Sequence, residues 1–383
     1  MTIIKSFNQR KCWPAAIFML SAGMLLSACG PAVALPVVPV VENPPTPTPE
    51  PLSYNELWES SPHSDEEAEA FRHWDAADPQ EIPVNCARCH SRTGFLDYLG
   101  VDESAVNVVD KPAKIGTTIT CYVCHNEATY TLNSVTFPSG KVIGGLGPEA
   151  RCITCHQGRN STSAVNIALV KASPISDDTP TEGLAFVNSH STSAATPFGS
   201  EVQGAYEYDG KSYQGRFNRG EEFFSCIRCH DQHSLKVKIE TCGDCHTFDG
   251  VEPKNIRVNT TDFDGDGDTQ EGAHYEVEQF KTNLLNAIQA YARDVVKLPI
   301  AYDFAHHPYF YTDTNSNGLV DPEEVSVENR YSSWTPRLLR AAYNYNYSTH
   351  DSGAYAHNSI YILQVLYDSL ADIGGDTTGM TRP

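Results

Sequence analysis

Methionine is almost missing from this chain: Met1, Met19 and Met24 fall in the first 24 residues, and only Met380 remains beyond them. Metal chemistry in the body of the protein must therefore proceed nearly without thioether ligands. Basic residues are scarce too, 27 Lys and Arg against 48 Asp and Glu, for a formal charge of -21. So acidic a surface argues against nucleic acid and anionic membrane as partners. Long apolar runs are lacking, since the stretch from Ala15 to Leu26 is shorter than the ~20 residues of a membrane-spanning helix. Spare cysteine is also absent. Of twelve cysteines, ten stand in five copies of one pentapeptide, leaving only Cys12 and Cys29.

The five copies are Cys86-Ala87-Arg88-Cys89-His90, Cys121-Tyr122-Val123-Cys124-His125, Cys152-Ile153-Thr154-Cys155-His156, Cys226-Ile227-Arg228-Cys229-His230 and Cys242-Gly243-Asp244-Cys245-His246. Each reads as a c-type haem attachment site. Two thiols add across the porphyrin vinyl groups, and the adjoining histidine takes the iron as proximal ligand. A zinc site would use Cys-x-x-Cys motifs in pairs and gives no reason for a histidine after every second cysteine. A redox dithiol would be a single copy on a thioredoxin-like scaffold. Five covalently attached haems are expected.

The N-terminus agrees with that chemistry. Lys5, Arg10 and Lys11 precede the apolar stretch, and Leu26-Ser27-Ala28-Cys29 closes it. Residues 1–28 read as a secretory signal peptide. Its end resembles the lipobox of bacterial lipoproteins, which implies cleavage before Cys29 and lipidation of that thiol; an ordinary signal peptide or an uncleaved anchor is the alternative. Cys12 leaves with the signal, so no cysteine remains for a disulfide. Loss of those three cations takes the net charge from -21 to -24. An exported protein, anchored to a membrane by lipid, is expected.

Residues 30–56 hold eight prolines, an extended polyproline-type tether within 29–57. The haem region follows, over 58–250, with under 40 residues per motif. So little chain per cofactor cannot build a conventional core, so the porphyrins must supply much of it. The fold expected is mainly α, with extensive loops and a few β-hairpins wrapped around a haem stack. One hairpin is expected over Tyr206 to Tyr213, turning at Asp209-Gly210, and another around Pro138-Ser139-Gly140. Residues 251–383 carry no attachment motif and read as helices that pack on the haem region. Val277, Phe280, Leu284, Ile288, Tyr291 and Val295 share one face of a helix over 275–296. Thr335-Pro336 starts a second helix, and Asn358 caps a third, over 359–373, ended by Gly374-Gly375.

The sixth iron ligand decides between carrier and catalyst, because a haem with an open position can do chemistry. With methionine excluded, nine histidines remain outside the motifs: His63, His73, His190, His233, His274, His306, His307, His350 and His357. Nine for five irons favours bis-histidine ligation throughout. Ser64 and Glu67 suggest a capping box and a helix over 65–74, long enough that His63 and His73 must serve different haems. His233 lies too near proximal His230 to reach the far face of the same haem, and is expected to serve a neighbour, such as the haem on Cys242 and Cys245.

The segments Pro62-His63-Ser64, Phe71-Arg72-His73-Trp74, Tyr206 to Lys211, Cys229-His230-Asp231-Gln232-His233 and Tyr355-Ala356-His357-Asn358 resemble exported multihaem c-type cytochromes of anaerobic bacteria. The resemblance covers most of 60–370. It implies electron transport at or near the cell surface, with other redox proteins or extracellular acceptors as partners. It also implies distal ligation by His63, His73, His190, His233 and His357. His306 and His307 depart from the pattern, and His274 and His350 look incidental. A pentahaem reductase with one open haem is the alternative, although such enzymes usually carry Cys-x-x-Cys-Lys, which is absent here. A subunit of a homo-oligomeric cytochrome filament is a third reading.

Residues 313–324 fit the twelve-residue calcium loop, with oxygen donors at Asp313, Asn315, Asn317 and Asp321, glycine at position six and Glu324 at twelve. One calcium ion is expected there. Asp262 to Asp268 begins in the same way but carries Ala273 at position twelve, and the sequence leaves it open.

Overall fold

The computed structural model of the chain describes residues 51–220, 225–246, 252–258 and 260–383. The expected signal peptide, Cys29 and the tether as far as residue 50 lie outside the described residues. Helices dominate, joined by long loops and three two-stranded antiparallel sheets. These pair Glu81–Ile82 with Ala113–Lys114, Ser134–Thr136 with Val142–Gly144, and Ile300–Tyr302 with Phe310–Thr312. The second is the hairpin expected around Gly140, whose φ of 83° suits a residue without a Cβ.

From Leu52 to Pro383 the chain makes one compact unit. Its largest core is built on three helices, Ala273–Tyr291, Pro336–Thr349 and Ala354–Asp372. Phe280, Leu284 and Ile288 are wholly buried on the first, as their spacing predicts. Thr335 caps the second by accepting from the Leu338 N–H at 3.1 Å. The third is interrupted at Asn358 (φ -166°, ψ 77°), whose side chain accepts from the Tyr361 N–H. It is thus a short turn bearing His357 followed by a longer helix that Asn358 caps. The same core reaches back to Val135, Phe137, Ala150, Ile153 and Val165, so the C-terminal helices and the third motif share one apolar interior. Residues nearer the N-terminus have two small clusters, Ile82, Ala87 and Ala113 in one and Phe95, Leu99 and Val123 in the other.

Two local expectations fail for identifiable reasons. The helix over 65–74 shrinks to Glu69–Arg72. The Ser64 hydroxyl donates backwards to the carbonyls of Glu59 and Ser61, and Asp65 accepts from the Glu67 N–H, so the capping box never forms. The Tyr206–Tyr213 segment keeps its turn, with Lys211 N–H donating to Tyr208 O and Gly210 at φ 75°, but its arms do not pair as strands. Side chains of the C-terminal helices take up backbone groups in and beside those arms: Asn344 accepts from Tyr206 N–H at 2.7 Å and Gln364 from Gln214 N–H at 2.7 Å.

Candidate haem sites

Each motif sits on a single turn or short helix, which brings its two cysteines and its histidine to one side. The first lies on Val84–His90, the third on Glu149–His156, and the second and fourth on the four-residue turns Cys121–Cys124 and Cys226–Cys229. The fifth is a 3-10 turn, Ile239–Asp244, followed by Cys245 and His246. All ten motif cysteines are free of disulfides.

The third motif is the junction. The Cys155 side chain lies within hydrogen-bonding reach of Cys89, and Cys152 within reach of Cys226. Arg151 donates to the carbonyl of Cys124 at 2.8 Å. Glu149, nearly buried, accepts from the Ser225 hydroxyl and the Cys226 N–H, both at 2.6 Å. One eight-residue helix therefore touches the first, second and fourth motifs, while the fifth adjoins the fourth through Arg228 and Asp244, 2.7 Å apart.

The histidines are arranged in facing pairs. Two imidazoles on opposite sides of one metal ion, each bonded at about 2 Å, hold their ring centroids about 6 Å apart. His63 and His156 are 6.3 Å apart, His125 and His233 6.3 Å, and His230 and His357 6.4 Å. His90 and His190 are 5.6 Å apart, with their Nε2 atoms separated by 3.4 Å. This last pair lines an open cleft of about 940 Å³ together with Cys86 and Cys89. The chemistry of the donor set fits c-type haem: two thiols and one imidazole on a turn, and a second imidazole opposite.

Hydrogen bonds orient these rings as axial ligands require. His90 donates its Nδ1–H to the Ala70 carbonyl at 2.7 Å, which fixes the tautomer and leaves Nε2 as the lone-pair nitrogen. Nδ1 of His125 meets the Tyr130 hydroxyl at 2.8 Å, and Nδ1 of His357 meets both carboxylate oxygens of buried Asp351 at 2.8 and 2.9 Å. Burial and the facing His156 push His63 down to about 4, and burial and His90 do the same to His190, so both rings are neutral and able to coordinate. His190 has a left-handed backbone (φ 63°), an unfavourable conformation for a residue with a Cβ. Asn188 holds it by accepting the His190 N–H at 2.9 Å, and Asn346 of the 336–349 helix accepts from both the N–H and the hydroxyl of Ser189.

Two of the distal candidates sit where the sequence did not put them. His233 faces the second motif, at His125, rather than the fifth. His73 faces no motif histidine; it lies opposite His307, 6.5 Å away with the planes at 89°, and its Nδ1 is tied to Glu69. His246 is the motif histidine without a facing partner among the described residues. His274, which looks incidental in the sequence, packs its ring on Tyr355 at 5.1 Å, and Tyr355 lies near Cys242. The signal that could have pointed to His274 is its place in the first turn of the first α-helix described after the fifth motif.

In the loop 313–324, Asp313 and Glu324 are buried. Glu324 accepts from the N–H and hydroxyl of Thr314 and from the Asp321 N–H, and Asp321 accepts from the amides of Asn315 and Asn317 at 2.6 and 2.8 Å. Asn315, Asn317, Asp321 and Glu324 are thus joined in one hydrogen-bonded turn, and Asp313 accepts from the N–H groups of Asn317 and Gly318 in it.

Residues 69–157, which contain the first three motifs, match the family described as cytochrome c7 and related cytochrome c. The chain is also 26% identical over 363 residues to the C-type polyheme cytochrome OmcB of Geobacter sulfurreducens, covering 78% of this chain and 44% of OmcB. It is 26% identical over 349 residues to OmcC of the same organism, covering 74% and 42%. Motifs and relatives together support a multihaem c-type cytochrome. The chain spans less than half the length of these relatives. No solved structure matches it. Among the described residues, no helix is long and apolar enough to cross a membrane.

Proposed function

We propose that the protein is an electron carrier outside the cytoplasmic membrane, lipid-anchored through Cys29, with five covalent haems that all have two histidine ligands. The observation that carries this reading is the set of four facing pairs, each joining a motif histidine to one from elsewhere in the chain. Bound haem supplies one-electron chemistry; the residues hold it and set its electronics. The proximal ligands are His90, His125, His156, His230 and His246. Their distal partners are His190, His233, His63 and His357 for the first four. For His246 we assign His274. The chain after the fifth motif returns onto the start of the 273–291 helix, where Ala273 N–H donates to Ile256 O and the Tyr275 hydroxyl to Asn255. Of the other histidines, His73 faces His307 and His350 packs against Phe304 and Tyr309, none of them a motif residue.

Haems held in this way would have both axial positions taken by histidine and would supply one-electron transfer rather than a substrate site, and the helix of the third motif would bring those of the first, second and fourth motifs together. Donors and acceptors are other redox proteins or extracellular acceptors, reached over an acidic surface. The loop 313–324 is assigned one calcium ion, for which the Asn315 and Asn317 side chains would turn their oxygens inward.

Carbon monoxide tests the ligation. Dithionite-reduced protein carrying five haems by intact mass should show no carbon monoxide adduct, because no iron is open. An adduct at one haem in the wild type would favour the alternative, a reductase with one open site, and His246 would be the first place to look.

A further inference from the structure

The loop that lacks a ligand at its twelfth position gathers carboxylates from further along the chain. Ligand oxygens of Asp262, Asp264 and Glu276 lie within 4.8 Å of one another, and so do those of Asp264, Asp266 and Glu271. Two oxygens that share a calcium ion at about 2.4 Å can be at most about 4.8 Å apart. Asp264 belongs to both groups. It is only 6% exposed, yet its Oδ2 has no hydrogen-bond partner, and neither has buried Oε1 of Glu271. A buried, unpartnered carboxylate oxygen is costly unless a cation meets it.

The remaining oxygens shape the loop. Asp262 accepts from the N–H groups of Gly265 and Gly267 at 2.6 and 2.8 Å, and Asp266 from that of Asp268 at 2.7 Å. Glu276, on the 273–291 helix, accepts from the N–H groups of Phe263 and Asp264 and pairs with Arg257 at 2.9 Å. One guanidinium thus stands beside five carboxylates. Burial and the like charges push Asp264 up to about 6 and Glu271 to about 7.

We propose that Asp262, Asp264, Asp266 and Glu271, closed off by Glu276, form a calcium site separate from the 313–324 loop. The ion is a hard cation with an all-oxygen ligand set, and Glu271 and Glu276 replace the carboxylate that Ala273 cannot provide. The site ties three parts of the chain together. Its loop receives the C-terminal tail, with Thr381 N–H donating to Phe263 O at 2.8 Å. A Cβ on Gly265 would come within 2.7 Å of the Gly379 backbone. Its helix begins at Ala273, next to His274, so calcium here would steady the segment that approaches the fifth motif.

Calcium titrated calorimetrically into the full-length haem protein tests this. Glu324→Gln, which disables the other loop, should still bind one ion, and adding Asp264→Asn should abolish that binding or weaken it by about tenfold or more. Undiminished affinity in the double variant would overturn the site. If Asp264→Asn yields no folded haem protein, judged by its visible and far-ultraviolet spectra, Glu271→Gln carries the same expectation and the same refutation. A wild type with a single ion, lost in Asp264→Asn and kept in Glu324→Gln, would uphold this site and remove the assignment of 313–324. A wild type that binds no calcium would overturn both.

Discussion

Between Phe263 and Ile373 the chain buries Phe280, Leu284, Ile288, Trp334, Tyr343 and Tyr361 in one interior. Between Tyr206 and Phe263, by contrast, no described apolar residue is buried, although the fourth and fifth motifs both lie there. The first stretch has apolar contacts enough to fold by burial. The second has short turns, one isolated bridge between His230 and Val237, and tethers such as Glu149 to Cys226. The contrast indicates how such a chain distributes its stability: packed helices supply a rigid frame, and the motif segments depend on what they hold. The frame also positions two of the facing histidines, since His357 lies on its last helix and Asn346 secures the loop of His190.

The sharpest way to break this contrast is to remove one haem. Replacing Cys226 and Cys229 by Ser should leave 207–262 as the first region cut in limited proteolysis, with 263–373 surviving as a resistant fragment. Cutting that starts in the C-terminal helices would refute the division. A core deletion should do the opposite. Phe280→Ala should cost about 3–5 kcal/mol, read in denaturant unfolding, while the visible spectrum keeps all five haems low-spin at temperatures where the variant stays folded. A smaller effect is expected at the join. Asp351→Asn removes the carboxylate behind His357 and makes that ring a poorer donor, which should raise one haem potential by roughly tens of millivolts in a redox titration and leave the other four alone.

Much of the site was legible in residues that are local to it. The five Cys-x-x-Cys-His motifs, the apolar stripe of Val277 to Tyr291 and the caps at Thr335 and Asn358 each act within a few positions of themselves. What could not be read depends on distant side chains. The Tyr206–Tyr213 arms stay unpaired as strands because Asn344 and Gln364, more than a hundred residues on, occupy backbone groups there. His233 faces His125 because the chain folds the fourth motif's turn back toward the second, which no spacing encodes. Glu276 enters the acidic loop from the first turn of a helix, three residues past the end of the twelve-residue pattern, and Glu271 stands inside that pattern at its tenth position, which ordinarily gives no ligand.

Low-temperature electron paramagnetic resonance of the oxidised holoprotein counts high-spin against low-spin irons, and so reads whether any iron lacks a second histidine. Five low-spin haems are expected in the wild type, one high-spin haem in His274→Ala with attachment intact, and no change in His73→Ala. A stoichiometric high-spin signal in the wild type would contradict the proposed ligation.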